Sequence, residues 1–362
     1  MKKSLIALAV LAASGAAMAQ SSVTLFGVVD ATYAYGNGSN GNRSQLTNSG
    51  YNSSRLGFRG VEDLGGGLSA SFWLEAGLQN DNGAGGSTNT NNQFVDSATG
   101  STAGDRARAA NTAGLVFNRR STVSLNGGFG EVRLGRDYTP QFWNLTVFDP
   151  FGTNGVGTTQ TLNSSLGGPT TIRASNAIGY FLPGNLGGFY GQVQYYLGEN
   201  LSTAVNKKDG NGLALRAGWA NGPVNVALAA SQTKFLNADI KSWNLGGQYD
   251  FGFGKLLAHV NRDDVKNGNE GTGWLIGGLI PVGAGEIRLS YSTYEIDVAN
   301  AADPRTNKFA LGYVHNLSKR TAVYATAAAL KNKNGAAQAL NNSSTGINRN
   351  SSGYDFGIRH SF

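Results

Sequence analysis

The chain has 362 residues, a formal net charge of +7, 14% charged residues and no cysteine. Soluble domains usually carry about 25% charged residues, so the composition disfavours an ordinary soluble enzyme. The lack of cysteine excludes a disulfide framework, thiol catalysis and Cys-ligated metal sites. Beyond the N-terminus, no apolar run reaches the roughly 20 residues of a membrane helix. A closed β-barrel is the other structure that satisfies its own backbone hydrogen bonds in lipid.

The N-terminus has the three parts of a secretory signal peptide. A positive start with Lys2 and Lys3 precedes an apolar stretch at residues 4–11, and a small-residue cleavage site ends at Ala19. An uncleaved anchor is the alternative, but the apolar stretch is about half the roughly 20 residues that an anchor needs. We therefore predict a signal peptide at residues 1–19 and a single exported β-barrel domain at residues 20–362.

Apolar and polar residues alternate with a period of two in segment after segment. Residues 69–78 place Phe72 and Leu74 on one face and Ser71 and Glu75 on the other. The segments at residues 189–197 and 286–291 repeat the pattern. Such alternation predicts strands with one apolar and one polar face, as found in a transmembrane barrel or in a soluble sandwich.

Three further features favour the membrane barrel over the sandwich. Aromatic residues stand near the ends of strand segments, as at Tyr33, Trp219 and Tyr249. Short turns at residues 63–66, 126–130, 186–188 and 221–223 alternate with long polar loops at residues 36–50, 80–111 and 331–351. The chain ends in an alternating segment that closes on Phe362. The segments predict about 16 antiparallel strands around an aqueous channel.

The insertion at residues 138–170 differs from the other loops because it is too apolar for a solvated tip. Phe142, Trp143 and Leu145 lie near its start, and Pro150 and Phe151 follow. A loop that folds back into the barrel would bury these side chains and narrow the lumen. We therefore predict an inward loop at residues 138–170.

Six segments spread over the chain resemble the general porins of betaproteobacteria. They are QSSVTLFGVVD at residues 20–30, SRLGFRGVEDLGGGL at 54–68, RRSTVSL at 119–125, GEVRLGR at 130–136, LGYVHNLSKRTA at 311–322 and GIRHSF at 357–362. The resemblance covers essentially the whole predicted mature chain, apart from the external loops, and is closest to the anion-selective porins of that group. It implies an all-β fold, a transmembrane 16-stranded antiparallel β-barrel with an inward-folded third loop. It also implies a homotrimer in the outer membrane of a Gram-negative bacterium.

The candidates for the pore are arginines on the polar strand faces near the inward loop. Fixed positive charges at a constriction raise the local concentration of anions, and arginine stays charged while offering a rigid fork of donors. Arg55 shares a face with Gly57 and Arg59, and Arg173 directly follows the loop, so both are predicted to face the lumen. The resemblance carries the basic cluster onto Arg55, Arg119 and Arg173.

The alternation leaves open which residue of the pair Arg119 and Arg120 faces the lumen. It places Arg119 on the face of Val123 and Leu125, which favours Arg120 as the lumen residue. A β-bulge between the two would reconcile the alternation with the family motif. We predict Arg119 in the cluster and keep Arg120 as the competing candidate.

Acidic residues are expected across the pore, where they would fix its transverse field. The candidates are Glu75, on a polar strand face, and Asp149, in the inward loop. Either could instead pair with an arginine and hold the loop in place. Two unit charges at 4 Å interact by roughly 1 kcal/mol in water and about 4 kcal/mol at an effective dielectric of 20. The predicted selectivity is therefore several-fold and weakens at high salt.

Three other functions are open at this point. An outer-membrane barrel enzyme needs a nucleophile and a base within reach, but His259, His315 and His360 have no nearby acidic–serine constellation. A substrate-specific outer-membrane channel fits aromatic residues such as Trp143 in the inward loop. A soluble adhesin built from β-repeats would show a fixed short repeat, and the sequence has none.

The sequence predicts a porin for the passive diffusion of small hydrophilic solutes and ions, with a preference for anions and no enzymatic activity. Dinucleotide, phosphate-loop and zinc motifs do not occur, so we expect no cofactor and no metal. Positive charge is spread along the chain rather than clustered, which argues against nucleic acid as a partner. The expected partners are two further copies of the chain, outer-membrane lipid and lipopolysaccharide, and small anionic and hydrophilic solutes.

Overall fold

The computed structural model describes residues 22–94 and 114–362. The predicted signal peptide at residues 1–19 and the second half of the loop predicted at residues 80–111 lie outside these ranges. The described strands are β1 (Ser22–Gly38), β2 (Arg43–Asn48), β3 (Arg55–Gly65), β4 (Leu68–Gln79), β5 (Ala84–Gly85), β6 (Arg120–Gly127), β7 (Gly130–Tyr138), β8 (Arg173–Phe181), β9 (Phe189–Tyr196), β10 (Gly212–Asn221), β11 (Val224–Thr233), β12 (Ile240–Asp250), β13 (Lys255–Val265), β14 (Glu270–Val282), β15 (Gly285–Asp297), β16 (Arg305–Asn316), β17 (Thr321–Lys333) and β18 (Ser351–Ser361).

Sixteen of these strands close into one antiparallel barrel, which confirms the predicted fold class. Each barrel strand pairs with the next barrel strand along the chain, and β18 pairs with β1 to complete the ring. The two remaining strands, β2 and β5, extend external loops as short hairpins. The first part of β1 pairs with β3 and its second part with β2, so β1 serves both the wall and the first loop.

The barrel wall is apolar on the outside and polar on the inside, which is the inverse of a soluble protein. In β13, Leu256 and Val260 are exposed on the outer face, whereas His259, Asn261 and Asp263 are buried toward the lumen. The predicted alternation therefore sorts the two faces correctly. Among the described residues, no helix has the length and apolar content needed to cross a membrane.

The two rims of the barrel differ in the length of their connections. At one rim the turns are short, and Gly65, Gly66 and Gly67 all take positive φ angles in the turn between β3 and β4. Tyr249 and Phe251 contribute to an aromatic band at this rim, with ring centroids 4.6 Å apart. The opposite rim carries the longer loops, as the sequence predicted.

The chain between β7 and β8 folds into the lumen instead of covering the rim. It contains α1 (Pro140–Val147), α2 (Gln160–Ser164) and a 3₁₀ turn (Gly168–Thr170). Phe151 and Val156 of this loop pack against Ala310, Ala328 and Leu330 of the wall. An apolar core of the molecule therefore lies between the inward loop and one side of the barrel, as the apolar loop ends predicted.

Candidate pore constriction

One buried side chain fixes α1 to the far wall of the barrel. The Asn144 amide nitrogen donates to the carbonyl oxygen of Ala227 in β11 at 2.9 Å and to Asn244 Oδ1 in β12 at 2.7 Å. Its amide oxygen accepts from Arg216 Nε in β10 at 2.9 Å. Three adjacent strands therefore hold α1 through a single asparagine.

Two more contacts hold the rest of the inward loop against the wall. The backbone N–H of Val156 donates to Asp355 Oδ2 in β18 at 2.7 Å. Near the end of the loop, the hydroxyls of Thr170 and Thr233 lie 2.7 Å apart. The loop thus follows the wall from β10 to β18 before it returns to β8, and the open part of the lumen lies beside it.

The Asp149 carboxylate organises the bend after α1. Its oxygens accept backbone N–H groups from Phe151 at 2.9 Å, Thr153 at 3.2 Å and Thr159 at 3.1 Å. Burial raises the pKa of the Asp149 carboxyl, and these N–H groups partly offset that shift. Asp149 borders the lumen, but its carboxylate is directed at the loop backbone. Its contacts fit the loop-holding role rather than a free acid across the pore.

Arg119 and Glu75 form the centre of the basic cluster. Arg119 Nε donates to Glu75 Oε1 at 2.6 Å, and its Nη2 donates to the Tyr138 hydroxyl at 2.6 Å. Trp73 Nε1 donates to the other carboxylate oxygen of Glu75 at 3.1 Å. Glu75 therefore lies inside the cluster, not across the lumen from it as the sequence suggested, because β4 runs beside the start of β6.

Arg55 and Arg173 complete the cluster around Glu75 and Tyr138. Arg55 Nη1 lies 3.9 Å from Glu75 Oε1, and its side chain is 29% exposed. Arg173 Nη2 donates to the Tyr138 hydroxyl at 3.1 Å, and its Nε donates to the carbonyl oxygen of Arg119 at 3.0 Å. The structure thus brings the three arginines of the family motif together on one side of the lumen.

Arg120 also borders the lumen cavity, together with Arg119. Strand β6 begins at Arg120, whose side chain follows the lumen face of Thr122 and Ser124. Its Nε donates to Thr122 Oγ1 at 3.1 Å and lies 3.7 Å from Asp137 Oδ2. Arg119 precedes the strand, so strand alternation does not govern its side chain. Both arginines face the lumen. The backbone N–H of Arg119 donates to the carbonyl oxygen of Glu75 at 3.0 Å although Glu75 is paired with Arg120, so two residues lie opposite one, as in a β-bulge.

Three further lumen arginines were not identified from the sequence: Arg133, Arg216 and Arg288. Each was detectable, because each occupies the polar face of an alternating strand. Each guanidinium also lies over an aromatic ring, which is an electrostatically favourable contact. The distances to the ring centroids are 3.9 Å for Arg133 over Phe181, 4.8 Å for Arg216 over Tyr190 and 4.5 Å for Arg288 over Tyr51.

Positive charge dominates the lumen. Among the described residues, a cavity of about 1100 Å³ is bordered by seven arginines and three acidic side chains. All three acids have partners: Glu75 binds Arg119, Asp137 binds Arg133, and Asp149 binds loop N–H groups. Fixed positive charges between low-dielectric walls attract anions into such a passage.

A closed antiparallel barrel with a polar lumen, narrowed by an inward loop beside an arginine cluster, defines a porin-type channel. The sequence profile described as Gram-negative porin matches residues 5–335. The chain belongs to this Gram-negative porin family, and it is an outer-membrane protein. The family and the location predicted from the sequence are therefore confirmed.

Three known proteins illustrate this relationship. The chain is 40% identical to outer membrane porin protein 32 of Delftia acidovorans, with 100% of both chains covered. It is 29% identical to an outer membrane porin protein of Bordetella pertussis, covering 92% of this chain and 95% of that protein. The solved structure of an anion-selective porin from Comamonas acidovorans is 34% identical, with a TM-score of 0.80 and coverage of 95% of this chain and 100% of that one.

Proposed function

We propose that this porin is an anion-selective channel for the passive diffusion of small hydrophilic solutes. The observation that carries the proposal is the charge balance of the lumen cavity. Seven arginines border it, and the three acids that border it already have partners. The anion selectivity named for the Comamonas porin supports the same function.

Arg55 is the arginine best placed to meet a passing anion. Its side chain is 29% exposed, and no described residue accepts a hydrogen bond from it. A guanidinium attracts a monovalent anion at 4 Å by roughly 1 kcal/mol in water and about 4 kcal/mol at an effective dielectric of 20. An attraction of this size enriches anions in the pore without trapping them, so the expected selectivity is several-fold.

The zero-current potential across a salt gradient tests the proposal. The refolded mature protein is inserted into a planar bilayer and measured at low and at high ionic strength. We expect stepwise conductance and an anion-selective potential that shrinks at high salt, because the screening length falls from about 10 Å at 0.1 M to about 3 Å at 1 M. A cation-selective potential would contradict the proposal.

Substitutions in the cluster locate the filter. Arg55→Ala and Arg173→Ala each remove one positive charge from the constriction, so both are expected to lower anion selectivity several-fold at low salt. Lys255→Ala is the matched control, because Lys255 pairs with Asp250 at 3.4 Å at the turn rim of β13. An equal loss of anion selectivity in all three variants would show that selectivity depends on the total charge of the protein and not on the charge at the constriction.

We infer that the channel acts by diffusion and not by catalysis. His259 is the histidine that faces inward, and its Nε2 lies 3.3 Å from the hydroxyls of both Thr159 and Thr161. The residue is only 3% exposed and does not border the lumen cavity among the described residues. These contacts support an anchoring role for His259 under α2. An unchanged conductance in His259→Gln, with no hydrolase activity in wild type, would agree with this inference.

A substrate-specific channel is the second candidate function. The observation that favours it is an exposed aromatic side chain, Trp143, at the lumen cavity. Flux that saturates with the concentration of one solute class would favour this candidate. Flux that rises linearly for all small solutes would favour the general porin.

A homotrimer is the proposed assembly. Besides the family resemblance, the lengths of the strands support it. The strands β6 and β9 have eight residues each, fewer than the about 9–11 that a transmembrane strand needs, and β7 and β8 between them have nine, at the lower limit of that range. A short stretch of wall is better covered by protein than by lipid. Cross-linking of the detergent-solubilised protein, with a trimer as the expected product, tests this assignment.

Outer-membrane lipid, including lipopolysaccharide, is the proposed partner of the loop rim of β13 to β17. There the outer face carries Arg262, Arg305 and Lys333 above the exposed rings of Trp274 and Tyr291, and Arg262 and Arg305 pair with Glu270 and Glu295. The exposed rings suit the interface with acyl chains, and Lys333, which forms no ion pair with a described residue, suits a phosphate group. Retention of lipid A by the purified wild type, and its loss in Arg305→Ala/Lys333→Ala, would support this partner.

We also propose that residues 1–19 are a signal peptide and that residues 138–170 form the constriction loop. Loop contacts from Asn144 to Thr170 support the second. Intact-mass measurement of the exported protein tests the first, and the expected mature chain begins at Gln20.

A further inference from the structure

Trp143 breaks the pattern of burial in α1. Its neighbours Phe142, Asn144 and Leu145 are buried, whereas Trp143 is 41% exposed. The exposed ring borders the lumen cavity. Burial of apolar surface contributes about 25 cal/mol per Å², and an exposed ring forgoes this contribution. Packing of the loop therefore does not explain why a tryptophan occupies this position.

Trp143 is the outer member of an aromatic group that reaches the arginine cluster. The Tyr138 ring lies 5.6 Å from the Trp143 ring and 4.9 Å from the Phe142 ring, measured between centroids. The Tyr138 hydroxyl accepts hydrogen bonds from Arg119 and Arg173. An exposed aromatic surface and fixed positive charge are thus separated by a single tyrosine.

This combination matches a flat solute that carries a negative group at one end. A planar ring stacks favourably on an indole ring, and a carboxylate accepts paired hydrogen bonds from a guanidinium. The Arg55 side chain is 29% exposed and lies 3.9 Å from Glu75 without a hydrogen bond to any described residue, so it retains donors for such a carboxylate. We propose that Trp143 makes the constriction selective for small aromatic carboxylates over other organic monoanions. The inference rests on the proposed anion-selective function and names its preferred solute class.

The lumen has the size that this proposal needs. Pockets for small molecules measure roughly 300–1,000 Å³, and the cavity beside Trp143 measures about 1100 Å³. A single-ring acid fits there with water around it, so it stacks on one face only and leaves again. Transient binding of this kind favours passage and slows chloride while the solute occupies the site.

Block of the chloride current by two related acids tests the proposal. Benzoate and cyclohexanecarboxylate have the same charge and a similar size, but only benzoate is planar and aromatic. In single wild-type channels, we expect the half-blocking concentration of benzoate to be about two- to ten-fold lower, since an aromatic pair contributes that factor beyond its buried area. Benzyl alcohol, which lacks the carboxylate, is expected to block far more weakly than benzoate.

Variants assign the effect to the indole ring. Trp143→Leu keeps an apolar side chain without an aromatic face, so it is expected to bring the two half-blocking concentrations together. Trp143→Phe is expected to keep part of the difference. Trp243→Leu is the matched control, because Trp243 has a similar exposure of 43% but lies on the outer face of the barrel. The zero-current potential in potassium chloride verifies that each variant is folded and anion-selective.

Two results would overturn the proposal: equal block by both acids in wild type, or an unchanged difference in Trp143→Leu. Where Trp143→Leu does not conduct, Trp143→Gln replaces it, with the same two outcomes. A wild-type channel that lacks anion selectivity would instead refute the proposed function itself, and the two failures are therefore distinguishable.

Discussion

Glu75 shows how one acidic residue both supports and weakens a basic filter. Its carboxylate binds Arg119 and lies 3.9 Å from Arg55, so it keeps positive groups together that would otherwise repel each other. The same charge cancels part of their field in the lumen. Stability and selectivity therefore place opposite demands on this residue.

Glu75→Gln is expected to raise anion selectivity and lower stability. Selectivity rises because a negative charge leaves the constriction. Stability falls because Arg119, whose side chain is 9% exposed, loses its ionic partner, and breaking a buried pair costs about 3–5 kcal/mol. The zero-current potential measures the first effect and the urea midpoint of the refolded barrel the second.

Glu270→Gln is the control for this prediction, because Glu270 pairs with Arg262 on the exposed outer face. Its expected cost is below about 1 kcal/mol, with no change in selectivity. A Glu75→Gln channel with wild-type selectivity and stability would contradict the role given to Glu75.

The sequence predicted on which face of a strand a residue lies, but it did not predict which residues of other strands that residue contacts. The period of two placed Arg55 and Arg173 toward the lumen because the face of a strand residue is a local property. It did not place Glu75 beside Arg119, because that contact depends on which strands are adjacent after a long loop. The period alone disfavoured Arg119, which the family motif placed in the cluster, because alternation holds only within a regular strand and Arg119 precedes the first residue of β6.

The inward loop is the element that turns a wide barrel into a filter, and Asn144 is its most connected anchor. Asn144→Ala removes the hydrogen bonds to β11 and β12 and leaves Arg216 without an acceptor there. Loss of a buried hydrogen-bonding partner costs about 1–3 kcal/mol. We expect a folded barrel with a loosened loop, a larger single-channel conductance and weaker anion selectivity.

Asn316→Ala is the matched control for the anchor prediction. Asn316 also donates to a backbone carbonyl, that of Ala284, at 3.0 Å, but it is exposed at the end of β16. The conductance and anion selectivity of the Asn316→Ala channel are expected to equal those of wild type. Wild-type conductance in Asn144→Ala would show that the other contacts of the loop are sufficient to hold it.

The sequence predicted that this loop turns inward but not the path that it takes. Phe142 and Phe151 revealed the direction, because apolar side chains of a loop must be covered. The anchors of the path are hydrogen bonds between residues far apart in the chain, such as Val156 with Asp355. No local pattern records such pairs.

At the scale of the whole molecule, the barrel depends on a close seam between its two ends. The backbone groups of Gly27 and Phe362 exchange two hydrogen bonds of 3.1 Å. A Cβ atom on Gly27 would lie 2.3 Å from the Phe362 ring and 2.8 Å from the carbonyl oxygen of Arg55. Only glycine leaves room for the terminal aromatic ring at this point.

Gly27→Ala is expected to destabilise the closed barrel by about 1–3 kcal/mol, the usual cost of overpacking. The measurement is the temperature at which the folded band disappears in detergent gel electrophoresis. Gly128→Ala is the control, because nothing lies within 4 Å of a Cβ built there. Equal transition temperatures for both variants would show that the seam adjusts freely.

The hydrogen bond between Val156 and Asp355 has a consequence for biogenesis. Asp355 lies in β18, the strand that closes the ring against β1, so the middle of the inward loop acquires this anchor only when β18 is in place. A nascent barrel that is still open therefore lacks one of the contacts that fix the filter. Closure of the ring and completion of this anchor are a single assembly step.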